Sequence, residues 1–400
     1  MTSIALSNVK KLYAITALTN VWFFTGSWLY FYRMYLSDRQ IGVLDGLVFG
    51  VGLIAEIPSG ALADLLGRKN QLKIGLALMS VGFISQGLAQ SYVHILLGML
   101  LFTIGIAFIS GSDDALVYDS LDAEGLSGRW EKVIARKYQI MLLVSATGFL
   151  AGGGLYIIHF RLPYVLCGIA AFIAVLIATN LHEIEVKRDN FSLKVYAQQN
   201  ADGMKYLFRR HMWLYAFMAI VVLGSGYAFD VGIIKPLILD KFNFYENAQA
   251  IINTIAGIGA ILVLSKFDRL RKLLGEKRGL ILLAVLMGAG FLATSFSVAV
   301  LGLVAFFVIY IINTIVAPWL NDVVQHEVPS SHRATALSTL ALLQKLPYVV
   351  LAPLAGILST NGDLQYFLFG VSLCILLTVS ILLLFGILSK NTQKQKLKIR

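Results

Sequence analysis

Long apolar runs separated by short polar knots make up almost the whole chain. A bilayer core about 30 Å thick needs roughly 20 predominantly apolar residues per helix, and about twelve runs meet that length. Their approximate bounds are 12–36, 41–61, 71–91, 93–117, 134–158, 162–182, 213–238, 246–265, 278–297, 299–321, 334–358 and 364–388. This pattern predicts an all-α membrane protein of twelve transmembrane helices. The one long hydrophilic interruption, 183–212, carries Lys187, Arg188, Lys194, Lys205, Arg209 and Arg210. It divides an N-terminal six-helix half, 1–182, from a C-terminal six-helix half, 213–400. Within it, Leu193 to Phe208 reads either as an amphipathic helix on the membrane surface or as a solvated linker.

Composition agrees: 58% of the residues are hydrophobic and 14% charged, a balance foreign to soluble domains. The first apolar run is too long for a signal-peptide core, and no small-residue cleavage site follows it, so Met1 is expected to remain. Cys167 and Cys374 lie inside apolar spans and read as small core residues. Neither a disulfide framework, a metal site nor a cofactor is expected. Lys and Arg in short loops stay on the cytoplasmic side. With the N-terminus inside, Arg33, Arg39, Arg161, Lys235 and Lys241 lie towards the outside and Lys345 within a span, while the other basic residues fall inside. Both termini are therefore expected in the cytoplasm. The net charge of +11 follows from this bias and from attraction to anionic headgroups, and no nucleic-acid partner is needed to account for it.

Residues 60–69 read GALADLLGRK and sit between the second and third runs. Gly60 allows close helix approach, Gly67 permits a tight turn, and Asp64 can sit against the positive end of another helix. About 200 residues later, Asp268, Gly275, Lys277 and Arg278 follow the eighth run as weaker counterparts. Arg33 and Asp38 likewise match Lys235 and Asp240, and the segment Asp322 to Arg333 parallels Asp119 to Arg129 or Arg136. The loop resembles that between the second and third membrane helices of the major facilitator superfamily, a large family of secondary transporters. The resemblance covers the whole chain and implies two pseudo-symmetric six-helix halves that rock around a midplane site. It further implies that Asp64 faces the helix start near Arg333 to Thr335 and that Arg68 pairs with Asp119 or Asp114. Gly60, Asp64, Gly67, Arg68, Asp114, Asp119 and Arg333 would then form a cytoplasmic latch stabilising the outward-facing state.

Two further matches are partial. Gly148, Gly152, Gly153 and Gly154 resemble the glycine-rich motif of drug/proton antiporters, although Phe149 stands where those carry proline; close helix packing is the other reading. Leu101 occupies about the position where many proton-coupled members have arginine.

Charges inside the bilayer cost several kcal/mol and mark partners or cavities. Asp45, Glu56, Asp113, Asp114, Asp230, Lys235 and Lys345 are of this kind. Lys345, near the middle of its span, reads either as a contact for an anionic substrate or as half of a structural ion pair. Asp230 reads as a proton carrier, as the partner of Lys345 or as bonded to a nearby hydroxyl. Glu56, ahead of Pro58, reads as a gating residue that supports the latch junction or as a proton carrier. Asp45 reads as an external gate paired with Arg33 or as a hydrated residue at headgroup level, and Asp113 and Asp114 belong with an inner gate. Asn20, Trp22, Asn253 and Asn313 face either a solute cavity or neighbouring helices, and Tyr30 and Tyr32 read as part of an interfacial aromatic belt.

No HExxH, GxSxG, Walker loop or zinc-spaced cluster is present, so the chain is not expected to be an enzyme or an ATP-driven pump. The leading expectation is a monomeric secondary exporter of amphipathic small molecules in a bacterial inner membrane, exchanging them for protons or sodium. The alternative is proton- or sodium-coupled uptake of a nutrient or anionic metabolite; a receptor or lipid-handling protein is a third class.

Overall fold

The computed structural model describes residues 3–184, 198, 205, 212–328 and 330–396; side chains at 57–65, 246–247, 327, 330–335 and 385–396 lie outside the description, as does most of the 183–212 segment. The described elements are helical, because a helix satisfies its own backbone polar groups where no water is available. The first part of the chain forms α1 (Ile4–Thr19), α2 (Trp28–Arg33), α3 (Asp38–Leu66), α4 (Arg68–Gly87), α5 (Tyr92–Ile109), α6 (Ser112–Ala123), α7 (Trp130–Ile158) and α8 (Leu162–Thr179). The second forms α9 (Trp213–Met218), α10 (Gly224–Val231), α11 (Ile234–Lys241), α12 (Glu246–Leu264), α13 (Phe267–Leu274), α14 (Glu276–Ser295), α15 (Ala299–Glu327), α16 (Ser330–Leu343), α17 (Tyr348–Thr360) and α18 (Leu364–Lys396). Among the described residues, eight stretches are long and apolar enough to cross a membrane, and nine if the bent pair α12 and α13 counts as one. The runs expected as spans one to three are not among them. The first of these is split between α1 and α2, and the second, α3, contains the residues whose side chains are not described.

Several runs expected to be continuous are broken. Span one leaves the helix between Thr19 and Trp28, with Trp22 at φ 34°. The freed backbone is taken up locally: Ser145 Oγ donates to the Asn20 carbonyl at 3.1 Å and Thr25 Oγ1 to the Trp22 carbonyl at 2.9 Å. The Val21 and Phe23 carbonyls lie against Gly148 and Gly152 of α7, where an added Cβ would come within 1.6 and 1.9 Å of their oxygens. Those two glycines therefore form the seat of the unwound segment. Span seven is α9, a π-turn over Ala219–Leu223, α10 and, after an interruption at Gly232, α11. Span eleven breaks between α16 and α17 at residues 344–347, where Pro347 cannot continue the hydrogen-bond ladder.

The helices gather into two compact units. One comprises Met1–Ser37, Leu47–Tyr196 and Glu246–Thr254; the other comprises Asp38–Gly46, Ala197–Tyr245 and Ile255–Arg400. Each takes a short piece from the opposite half of the sequence, for reasons of local packing. In the second unit, Gly42 and Gly356 meet across α3 and α17, each so close that a Cβ would fall within 2.4 Å of a carbonyl oxygen on the other helix. In the first, Gln249 Nε2 of α12 donates to Tyr30 Oη at 2.7 Å. The first unit's core joins Val9, Leu12 and Ile15 of α1 to Leu72, Leu76, Leu116, Leu121 and Ala178. The second is built round Phe229, Phe291 and Phe306, with Trp319 fully buried. Large apolar side chains such as Ile158, Leu143 and Ile54 point outward, as lipid-facing surfaces require.

Ser80 Oγ of α4 donates to the Gly168 carbonyl of α8 at 2.8 Å, and Ser372 Oγ of α18 donates to the Gly288 carbonyl of α14 at the same distance. The two units thus share one helix-pair contact with its serine and glycine exchanged, which is the geometric trace of an internal repeat.

The seat on α7 yields a direct expectation. Gly148→Ala or Gly152→Ala should cost about 1–3 kcal/mol by overpacking, read as a lower melting temperature of the purified protein. At Gly154, where nothing lies within 4 Å, the same change should be near neutral.

Candidate functional site

The loop between α3 and α4 turns at Gly67, whose φ of 78° suits a residue without a side chain. Glu183 caps the helix that follows: the Arg68 amide donates to Oε1 at 2.7 Å and the Lys69 amide to Oε2 at 3.2 Å. An acid at a helix N-terminus meets both unpaired amides and the positive end of the dipole. Arg68 Nη1 lies 2.6 Å from Asp119 Oδ2, with both side chains largely buried. Asp114 does not share this pair. Together with Asp113 it holds Lys137 Nζ, each at 2.6 Å. Lys137 and Glu183 were missed in the sequence. Two adjacent acids opening α6 were the signal that a cation had to be near, but nothing local named it. Gly60, Asp64 and Arg333 lie outside the described side chains.

The second unit repeats the loop in altered form. Gly275, φ 72°, opens α14. Arg271 binds Asp322 and, at 2.6 Å, Glu276, while His326 Nδ1 lies 3.5 Å from Asp322 Oδ2. Glu276, Asp322 and His326 offer ligand atoms within 4.8 Å of one another, but the Arg271 guanidinium already supplies the positive charge there. The cluster fits an ion-pair network better than a metal centre. The cation facing Asp322 therefore comes from within α13, and not from the expected counterparts Lys277 and Arg278.

Deeper in the second unit, Asp45 of α3 accepts from Tyr348 Oη of α17 and, at 3.3 Å, from the Ile233 amide that begins α11. This replaces the expected pairing with Arg33. Gly232 makes room for the contact, since a Cβ there would lie 1.5 Å from Tyr348 Oη. Asp230 pairs with Lys235 at 2.9 Å rather than with Lys345, and Lys235 Nζ stands 5.5 Å from the centre of the Tyr310 ring. The Asp230 side chain is 47% exposed and that of Lys235 13%, so the carboxylate is the open member of the pair. Tyr310 and Tyr348 were absent from the sequence-based candidates, because a tyrosine in an apolar run looks like any other core aromatic. Lys345 lies half-buried in the break of span eleven, and Asn313 packs its Oδ1 against Gly226.

In the first unit, Arg33 stands over the Tyr30 ring at 5.9 Å, and Glu56 is half-buried on α3. Asn20 Nδ2 donates to the Thr16 carbonyl at 2.8 Å, and Trp22 Nε1 to the Thr19 carbonyl at 3.0 Å. Both side chains thus cap the end of α1. Tyr32 is buried, donating to Gln86 Oε1 at 2.6 Å and packing on Tyr164, so it is a core residue and not part of an interfacial belt.

Residues 12–350 match the family model of the Major Facilitator Superfamily. The chain belongs to that superfamily. Among curated relatives it is similar to Multidrug resistance protein 1 of Bacillus subtilis (strain 168), 26% identical over 250 residues, 61% of each chain. Multidrug resistance protein 2 of the same organism is 24% identical over 265 residues, 64% of each. The chain thus matches less than two thirds of the length of these relatives. Among solved structures, nucleoside transporter NupG superposes with a TM-score of 0.74 at 16% identity, covering 96% of this chain and 98% of that one. At such identity the likeness establishes the fold alone. As a superfamily member, the chain is a multi-pass membrane protein.

Tyr348→Phe removes one of the two donors to Asp45. Leaving a buried acceptor underpaired costs about 1–3 kcal/mol. A cysteine placed at the buried Leu44 on the same helix end should then react with a water-soluble maleimide roughly tenfold faster than in the parent.

Proposed function

We propose that this superfamily member is a proton-coupled exporter of amphipathic small molecules, working by alternating access. The observation that carries the reading is the pair of related loop latches, Arg68 with Asp119 and Arg271 with Asp322, each beside a positive-φ glycine that opens a helix. Two reversible ion-pair clasps at equivalent places are what a rocking carrier needs in order to hold one state and release it. Similarity to two multidrug resistance proteins supports export over uptake, and the basic loops support placing both termini in the cytoplasm of a bacterial cell.

Asp230 is the proposed proton carrier. A proton on its half-exposed carboxylate would dissolve the pair with Lys235 and leave that ammonium over Tyr310 to rearrange; return of the charge would restore the pair. Asp64 facing the helix start near Arg333 belongs to the same proposal, as do division into halves at 183–212 and function as a monomer.

The test is reconstitution in liposomes with a pH-sensitive dye inside, an imposed proton gradient and a panel of amphipathic solutes. Substrate-dependent proton flux in the wild type that is lost in Asp230→Asn is the expected result. Solute movement without proton movement in either protein would rule out proton coupling and favour sodium coupling or facilitated diffusion. In cells, export lowers and uptake raises internal solute. Arg68→Ala should slow turnover by roughly fivefold or more, the scale of a typical conformational coupling, with substrate affinity nearly unchanged. Wild-type turnover in that variant would refute the latch.

A further inference from the structure

Helix α13 bends 62° away from α12, an apolar helix on which Ile258, Ile261 and Leu262 are exposed. The short helix has two unlike faces. Phe267, Leu270, Arg271 and Leu274 turn towards the protein: Phe267 packs edge-on against Trp319 with ring centres 5.6 Å apart, and Arg271 is committed to Asp322 and Glu276. At 3.6 residues per turn, Arg269 and Leu273 fall on one stripe of an exposed flank, and Lys266, the residue that caps the helix start, precedes them on that flank. All three are exposed, Leu273 to 79%. A leucine turned away from its own protein one turn beyond two basic residues, on a helix that leaves the end of an apolar span, has an apolar phase and a layer of phosphates within reach.

We propose that the Lys266, Arg269 and Leu273 stripe is a binding surface for anionic phospholipid. Leu273 enters the acyl boundary while the two basic side chains engage headgroup phosphates. Charge complementarity selects the partner: an anionic lipid surface attracts each nearby Lys or Arg, and the apolar layer beneath it accepts the leucine. Because Arg271 projects from the other side of the same two-turn helix, lipid held on one face fixes the guanidinium that clasps Asp322 on the other.

The surface is tested with a fluorescent NBD probe on Leu273→Cys, in protein carrying Cys167→Ala and Cys374→Ser. Vesicles are either phosphatidylcholine alone or equal parts phosphatidylcholine and phosphatidylglycerol, each doped with a lipid spin-labelled near the headgroup. The expected result is blue-shifted, quenched emission that is stronger with phosphatidylglycerol. Membrane engagement should weaken roughly fivefold for each of Lys266→Gln and Arg269→Gln. A probe on Asp268→Cys, on the far side of the helix, should remain water-like. Water-like emission at position 273 in both vesicles, or equal quenching with and without phosphatidylglycerol, would overturn the proposal. An unlabelled readout stands beside it: phosphatidylglycerol should raise the melting temperature of the wild type more than that of the double Gln variant, and an equal rise counts against the surface. Neither measurement requires transport.

Discussion

A peptide group that leaves a helix inside a bilayer must find a new hydrogen-bond partner, because hydrocarbon offers none. The broken spans of this protein are organised around that constraint. In span one, serine and threonine hydroxyls and a tryptophan indole take up the carbonyls of the interrupted segment, while two glycines of α7 let that segment lie against their backbone. In span seven, the amide that restarts the helix is met by the carboxylate of Asp45 and the hydroxyl of Tyr348. A break satisfied in this way is a place where the chain can exchange one set of partners for another at modest cost.

The same constraint explains where the charges sit. Lys137 serves two adjacent acids at the start of α6, Lys235 serves Asp230 and leans on a tyrosine ring, and Arg68 and Arg271 each clasp an acid at the end of a neighbouring helix. Each ion is held by a short side-chain contact and each lies near an interruption or a helix end. Breaking such a contact exposes an unpaired charge and strongly favours an alternative partner. Charges arranged in this way define discrete states better than they add stability.

The repeat is more faithful in geometry than in sequence. Gly67 and Gly275 adopt nearly the same positive φ, yet the arginine that follows the first glycine precedes the second by one helical turn. The serine-to-carbonyl contact between α4 and α8 returns between α14 and α18 with donor and acceptor exchanged. Selection for a contact constrains a pair of positions, and either member of the pair can supply the hydroxyl.

Hydrophobic run length and loop charge were enough to indicate a helical membrane protein, because the thickness of a bilayer and the cost of burying charge act on segments read one at a time. The GALADLLGRK loop, its degenerate recurrence about 200 residues later and the run count together carried the resemblance to the superfamily, and it was that resemblance that implied a pairing of Arg68 with Asp119 or Asp114. The extent of the break in span one was not legible. Val21 to Phe24 is as apolar and aromatic as its flanks, and the unwound backbone there is accommodated by the space at Gly148 and Gly152 more than a hundred residues away. Nor were the partners of Asp114 and Asp230, chosen among several cations, or those of Asp45, a tyrosine hydroxyl and a backbone amide, because the distances that select them exist only after the helices pack. Pattern along the chain determined that this is a helical membrane protein; which charge meets which, and where a helix comes apart, was decided by tertiary contacts, since both depend on atoms that are neighbours in space and not in sequence.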